Sequence, residues 1–476
     1  AYNSLLQERR RRLHERIGSA LETLHREHVD DHLAELAHHY SRSSSLPKAI
    51  EYLSRAANQA TQRSLYSEAI EYANRGLDLL STIPEGDPRA RAELPLQSIL
   101  GVASMAARGF SSNEVERAFA RSCDLARNLG DTDQLFGALQ GLWGFHYTRG
   151  DADAARKVAE ESLALATSRN DPGLLKHAHH ALGTTLQQVG ELAAAREHLE
   201  KALALRDVPR ALKELMRFGP DSNVLCLTGL SDLLFTLGYP DQALRRAYEA
   251  IEIVKPESDP FSFAMAQVFA ASLHCLRREP ETAEQLCRSA IESCIEYGFP
   301  FWLAFANRCL GWAMIQHGRL EEGAAMMNAL LHETSGAEAD QNLFFLLPAL
   351  AETYGRLGRF DQAFSSLDDW LAVRSKQSIA AMDKGYYRIR GDLLLRAGSV
   401  DEAEKSFRKA IELSAGEGAK MEQLRSTASL ARMLRDSQGK RDEARAMLAD
   451  VYSWFTEGFD TADLKDAKAL LDSLDA

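Results

Sequence analysis

The sequence predicts an all-α fold, a solenoid of stacked helical hairpins with a period near forty, and three observations carry that expectation. A small residue recurs every forty positions, at Ser231, Ala271, Gly311, Ala351, Gly391 and Ala431, and a fixed period is the signature of a repeat architecture. The 13 prolines and 30 glycines are sparse and separate long runs rich in Ala, Leu, Glu and Arg, the composition of helices with no sheet. At 476 residues, 45% of them hydrophobic, the chain is too long for one thick core, so it must split into domains or repeat, and the frame selects repetition.

Each element follows from that frame. Seven positions beyond the small residue comes a loop with Gly238, Gly318, Gly358 and Gly398, where a residue able to adopt positive φ ends a first helix. Five positions further stands a second small residue, at Ala243, Ala283, Gly323, Ala363 and Ala403. Antiparallel helices joined by a short loop interlock only where facing positions lack bulk. Larger groups fill the gaps: Leu234, Met314, Tyr354 and Leu394 three places after the first small position, Met327, Leu367 and Phe407 four after the second.

Upstream, the grid runs from Leu182 and Gly183 through Leu186, Gly190, Ala195 and Leu199 to Ala202, then through Gly144, Tyr147, Gly150 and Ala155, and through Leu36, Ala37, Tyr40, Ala49 and Leu53. Between Asp87 and Leu129 the register is poor, although Gly101, Gly109 and Ala118 suggest a hairpin. Prolines break the helices at Ser81–Ala90, Arg206–Ser222 and Val254–Pro260. The second joint stretches the interval from Gly183 to Ser231 and is expected to mark a kink or subdomain boundary. The expected divisions are 1–85, N-terminal hairpins; 86–210, a first block of repeats; 211–455, the regular block; and 456–476, a closing helix.

The segment from Leu182 to Ala202 resembles the tetratricopeptide repeat, as do the repeats around Gly311 and around Gly391 with Phe407 and Ala410. The short form of that repeat spans about 34 residues, and the frame here lengthens it to forty. The resemblance implies a right-handed superhelix whose first helices line a concave groove. The opening "SLLQERRRRLHERIGSALE" followed by "HLAELAHHY", and the close from Trp454 to Leu474, resemble the segments flanking such repeats in bacterial signalling ATPases with numerous domains and in class III adenylate cyclases with an ATPase. By that resemblance the chain is the carboxy-terminal part of a longer protein, following an ATPase and winged-helix module that it controls. No G-x-x-x-x-G-K-[ST] loop and no cyclase domain is present in the sequence itself.

Charge and composition narrow the chemistry. A formal net charge of −12 argues against a phosphate-neutralising surface, so direct nucleic-acid binding is not expected. The basic run Arg9–Arg12 reads as the solvated face of an amphipathic helix carrying Leu5, Leu6, Leu13 and Ile17. The six cysteines form no C-x-x-C pair and lie in apolar stretches, which fits small hydrophobic roles in a reducing cytoplasm. No apolar leader or membrane-length apolar run occurs.

His177 and His180, at i and i+3, offer at most two metal ligands, and His38 and His39 beside Tyr40 offer no more. Carboxylates cluster at helix starts, where the dipole favours them, and no G-x-S-x-G elbow or other nucleophile motif appears. No catalytic, cofactor or metal site is therefore expected.

A groove is easier to place. Positions three before, one after and four after the first small residue give His180, Thr184, Gln187, Thr228, Asp232 and Phe235 in the earlier repeats. In the later repeats they give Arg308, Trp312, Glu352, Arg388, Asp392, Leu395, Arg432 and Arg435. The cluster Arg308, Trp312, Glu352, Arg388 and Asp392 is the expected contact set, because Trp and Arg supply stacking and bidentate bonds. The competing reading is that Arg308 with Glu352, and Arg388 with Asp392, hold neighbouring repeats in register. One of each aromatic pair, Phe301 with Trp302, Phe344 with Phe345 and Tyr386 with Tyr387, is expected to pack between repeats, as is Trp370. The paired Lys and Asn that characterise a carboxylate-clamp groove are not at matching positions. The expected partner is a protein or peptide, or a small ligand, together with the upstream ATPase or cyclase.

Overall fold

The computed structural model describes residues 7–63, 65–205, 221–333, 337–375 and 383–475, with the side chains of 333–345 excluded. The joint expected at Arg206–Ser222 lies almost wholly outside these residues, as do the side chains of Phe344 and Phe345. Among the described residues there are 23 α-helices, one short 3-10 turn and no strand. The fold is all-α, as the sequence predicts. Contacts divide the chain into two compact units that part inside one helix, between Phe145 and His146.

The first unit runs α1 (Gln7–Leu24), α2 (Leu33–Tyr40), α3 (Leu46–Gln62), α4 (Tyr66–Ser81), α5 (Asp87–Arg108), α6 (Asn113–Leu129) and most of α7 (Thr132–Arg149). From α1 to α6, helices adjacent in sequence pack against each other. In the segment of poor register, Gly101 of α5 and Gly141 of α7 both face the ring of Phe119, so close that a Cβ on either would collide with it. Near the start of the unit, Glu22 accepts hydrogen bonds from Tyr40 (2.8 Å), Tyr52 (2.6 Å) and Lys48 (2.5 Å), tying α1 to the first hairpin.

The second unit continues with α8 (Ala152–Arg169), α9 (Pro172–Gln188), α10 (Leu192–Ala204), α11 (Ser222–Leu237), α12 (Pro240–Glu252), α13 (Pro260–Arg277) and α14 (Pro280–Tyr297). It ends with α15 (Pro300–Gln316), α16 (Leu320–Glu333), α17 (Ala337–Arg356), α18 (Phe360–Ser375), α19 (Asp383–Arg396), α20 (Val400–Glu417), α21 (Lys420–Gln438), α22 (Arg441–Ser453) and α23 (Ala462–Asp475). Proline opens five of these helices, where its missing N–H is not needed. Asp171, Asp221 and Asp259 cap α9, α11 and α13 by accepting from backbone N–H groups. The two small positions of each hairpin are where its helices touch. A Cβ on Gly391 would stand 2.6 Å from the Phe407 ring, and one on Gly323 would stand 2.8 Å from the Gly311 carbonyl oxygen.

Four of the loop glycines have the expected positive φ, 95° at Gly238, 82° at Gly318, 74° at Gly358 and 85° at Gly398. The same slot one repeat after Gly238 holds Arg278, also left-handed at φ 63°. Between hairpins, Trp302 packs edge-to-face on Phe269 and Tyr386 tilts against Trp370. Both tryptophans are buried, as expected for packing residues.

The second unit also closes on itself. Helix α11 packs against α21, and α21 against α23. The Glu457 carboxylate accepts from the N–H groups of Asp241 and Gln242 at the start of α12, both at 2.9 Å, and the Gly458 N–H donates to Asp241 at 3.0 Å. Trp454 tilts against Tyr239 with ring centroids 5.5 Å apart. The contacts of Trp454, Glu457 and Gly458 join residues more than two hundred positions apart.

Candidate functional site

The inner faces of the second unit border a cavity of about 670 Å³, within the ~300–1,000 Å³ of pockets that bury compact ligands. Its wall is built by the first helices of five consecutive hairpins, α13, α15, α17, α19 and α21, and is completed by α23. All five residues of the expected contact set, Arg308, Trp312, Glu352, Arg388 and Asp392, line it, and so does Arg432.

The geometry shows what each of them does. Arg388 is the hub: it pairs with Glu422 at 2.7 Å, Glu352 at 3.2 Å and Asp392 at 3.3 Å, joining α19 to α17 on one side and α21 on the other. Burial works against its charge, but the three carboxylates outweigh that and hold its pKa above the ordinary arginine range. Asp392 is pushed the other way: burial raises its pKa despite the neighbouring guanidinium. Arg308 is buried with its guanidinium carbon 3.7 Å from the Phe305 ring centroid, a stacked cation on an aromatic face. Trp312 is half-buried against the cluster of Ile315, Met327 and Leu350 and presents its other side to the cavity.

The earlier residues of the expected groove stand elsewhere. His180, Gln187, Asp232 and Phe235 lie on α9 and α11 and do not line this cavity. Gln187 donates to the Asp232 carboxylate at 2.5 Å, and burial raises the pKa of Asp232. His180 is buried and its pKa is lowered to about 3 by loss of solvent. Phe235 is buried beneath the Arg425 guanidinium, which lies 5.5 Å from its ring centroid. The four expected groove residues four after the small residue, Gln187, Phe235, Leu395 and Arg435, are all off the wall, although Cys275 at the same offset in α13 lines it. A helix turns by about 100° per residue, so −3, +1 and +5 drift by only about 40° each, whereas +4 falls about 60° to the other side of +1. The +5 positions Gln316, Arg356 and Arg396 line the cavity instead.

Arg278, Arg425, Asp463 and Asp466 also belong to the wall. Arg425 donates to Asp463 at 2.7 Å and to the Leu276 carbonyl. Arg278 reaches Asp463 at 3.3 Å and Asp466 at 2.7 Å. Burial opposes the Asp463 charge, yet the two arginines prevail and its pKa is lowered. Arg278 is discernible in the sequence as the residue that breaks the series of loop glycines; its side chain reaches α23 from a backbone conformation that L residues rarely adopt. Arg425 and Asp463 carry no repeat signal, because closure alone brings them together.

Cys275 and Cys309 sit in the same wall, and the Cys275 thiol donates to the Cys309 carbonyl at 3.9 Å. Among the described residues all six cysteines are free, and no group of three His, Cys, Asp or Glu side chains is placed to hold a metal ion. No described helix is long and apolar enough to cross a membrane.

Solved structures with likeness to the chain include a Rap protein in complex with competence and sporulation factor (11% identity, 89% of this chain and 99% of that one, TM-score 0.47). Another is NprR in complex with its cognate peptide NprX (15% identity, 71% of this chain and 98% of that one, TM-score 0.45). A tetratricopeptide repeat protein from Parabacteroides merdae shows 17% identity, covering 61% of this chain and 98% of that one, with a TM-score of 0.35. A protein of Rhizobium meliloti (strain 1021), described as uncharacterized, is 23% identical over 435 residues, 88% of this chain. The match takes up 41% of that relative, so the chain spans less than half of its length. Two tetratricopeptide repeat families match residues 180–206 and 385–416, and the chain therefore carries tetratricopeptide repeats.

Proposed function

We propose that the second unit is a recognition module that takes a peptide segment of a partner protein, or a compact ligand, into the cavity framed by α13, α15, α17, α19, α21 and α23. The observation that carries this reading is the cavity itself: five successive first helices contribute side chains to one concave wall with Trp312 as an aromatic face. Arg388 is engaged by three carboxylates, so it serves as the frame of the site and Trp312 as a contact. The finer reading, that recognition here controls an attached signalling ATPase or adenylate cyclase, rests on the resemblance of the two terminal segments to the flanks of repeats in such proteins. The greater length of the Rhizobium meliloti relative leaves room for such a module.

The test is a thermal-shift screen of the purified chain against peptides, nucleotides and sugars, since a ligand of the folded state raises its apparent stability. A hit that Trp312→Ala abolishes without lowering the unliganded Tm supports the cavity as the site. A hit indifferent to Trp312 places recognition elsewhere. A phosphate-binding loop upstream in the gene supports the regulatory reading, and its absence leaves a free-standing adaptor.

A further inference from the structure

The polar lining of the cavity is unbalanced. Seven arginines meet four carboxylates there, in a chain whose formal net charge is −12. The four carboxylates are already engaged: Glu352 and Asp392 by Arg388, Asp463 and Asp466 by Arg278 and Arg425. Arg308 is buried on Phe305. The remaining three, Arg356, Arg396 and Arg432, form no ion pair or side-chain hydrogen bond among the described residues, although each lines the cavity.

Their placement is ordered. Arg356 and Arg396 occupy the same +5 position of α17 and α19, one period apart, and are exposed, while Arg432 is half-buried at the +1 position of α21. The three helices pack in succession, so the guanidiniums rise from neighbouring rods about 8–10 Å apart. Three like charges on one concave wall repel each other, while Asp392 acts on Arg396 and Asp436 on Arg432 only through a longer-range field. A multivalent anion would relieve that repulsion, and guanidinium pairs planar oxyanions with two parallel N–H bonds. Low-dielectric walls also concentrate the field of such a cluster.

Resting on the recognition reading above, we infer that the ligand is acidic: Arg356, Arg396 and Arg432 bind two or more carboxylates of a short peptide, with Trp312 receiving an apolar part of it. In an extended peptide, side chains two apart lie on one face ~7 Å from each other, a spacing that flexible arginines on adjacent helices can meet. The cavity volume suits a segment of this kind and excludes a folded domain.

The test is fluorescence anisotropy of the full chain with two fluorescein-labelled decapeptide libraries. One fixes Asp or Glu at alternating positions, the other Asn or Gln at the same positions, and citrate serves as a small polyanion competitor. The acidic library is expected to bind at least ten times tighter than the neutral one and to weaken as NaCl rises from about 50 to about 300 mM, as screening requires. Arg356→Gln with Arg396→Gln, and Arg432→Gln separately, should each cost tenfold or more, whereas Arg288→Gln on α14, outside the cavity lining, should change nothing. Because the three arginines form no internal ion pair, unchanged thermal unfolding checks that the variants fold. Competition by citrate supports the anion site and shows that a small polyanion shares it.

Equal binding of the two libraries, or indifference to all three arginines, overturns the assignment. A neutral ligand lost in Trp312→Ala would leave the cavity as a recognition site while removing its acidic specificity. Silence from both libraries, citrate and the thermal-shift screen would remove both readings.

Discussion

Single side chains record how burial is made tolerable in this array. His180 is buried on α9 with its pKa lowered to about 3, so it stays neutral in the fold, whereas the unfolded chain binds a proton near pH 6.5. The stabilising contribution is therefore complete above about pH 6.5 and falls as the pH drops toward 3, by ~1.4 kcal/mol per unit. His180→Gln should flatten the decline in unfolding free energy between pH 6.5 and 5 by about 2 kcal/mol, measured by urea titration at each pH. An unchanged slope would show that His180 is not the group that titrates. The sequence marks His180 as a groove position, but not its burial, which depends on α11 packing against α9.

At the scale of the element, the forty-residue frame is legible because it is steric. Gly391 and Gly323 are small because a facing helix leaves no room for more, Gly311 sits tightly against Met327, and the Gly398 loop turns left-handed for a local reason. Two glycines of the same region should respond oppositely to one methyl group. Gly391→Ala gains helix propensity of about 1 kcal/mol, yet its Cβ would meet the fully buried Phe407 ring at 2.6 Å. A net loss of about 1–3 kcal/mol is expected from overpacking. Gly416→Ala, in α20 with open space around it, should gain ~0.5–1 kcal/mol. Thermal melts of the pair decide the matter, since equal signs would refute the steric account. The candidate wall is legible for the same reason as far as the −3 and +1 positions reach. Arg356 and Arg396 escape the sequence reading because it places +4 in the groove where +5 belongs, a difference of one residue that swings a side chain to another face.

At the scale of the whole second unit, the decisive contacts have no signature in the repeat. Asp463 is tied to Arg425 and Arg278, and Glu457 to the start of α12, by pairs far apart in sequence with no common period. Asp463→Asn keeps the shape of the side chain but strips the mostly buried Arg425 of its close carboxylate and leaves Arg278 with Asp466 alone. A loss of about 3 kcal/mol is expected in urea unfolding. Asp466→Asn, whose ion pair is nearly half exposed, should cost under ~1 kcal/mol. Similar small losses in both would mean that α23 contributes little to closure. The acid response of Asp463 has the opposite origin to that of His180: its lowered pKa makes the pair favourable above the ordinary carboxylate value and weakens it as the pH falls below.

Closure also fixes a number. An open array of repeats can lengthen or shorten by whole units, because each unit touches only its neighbours and the ends stay free. Here Glu457 meets α12 and Arg278 meets α23 only after the intervening hairpins have turned the chain through the right angle and rise. Removing or duplicating one hairpin between α13 and α21 would carry the clasp past its seat, even with every local contact kept. The copy number of these repeats is thus a structural constant, held in part by Arg278 and Asp463, which also complete the cavity wall.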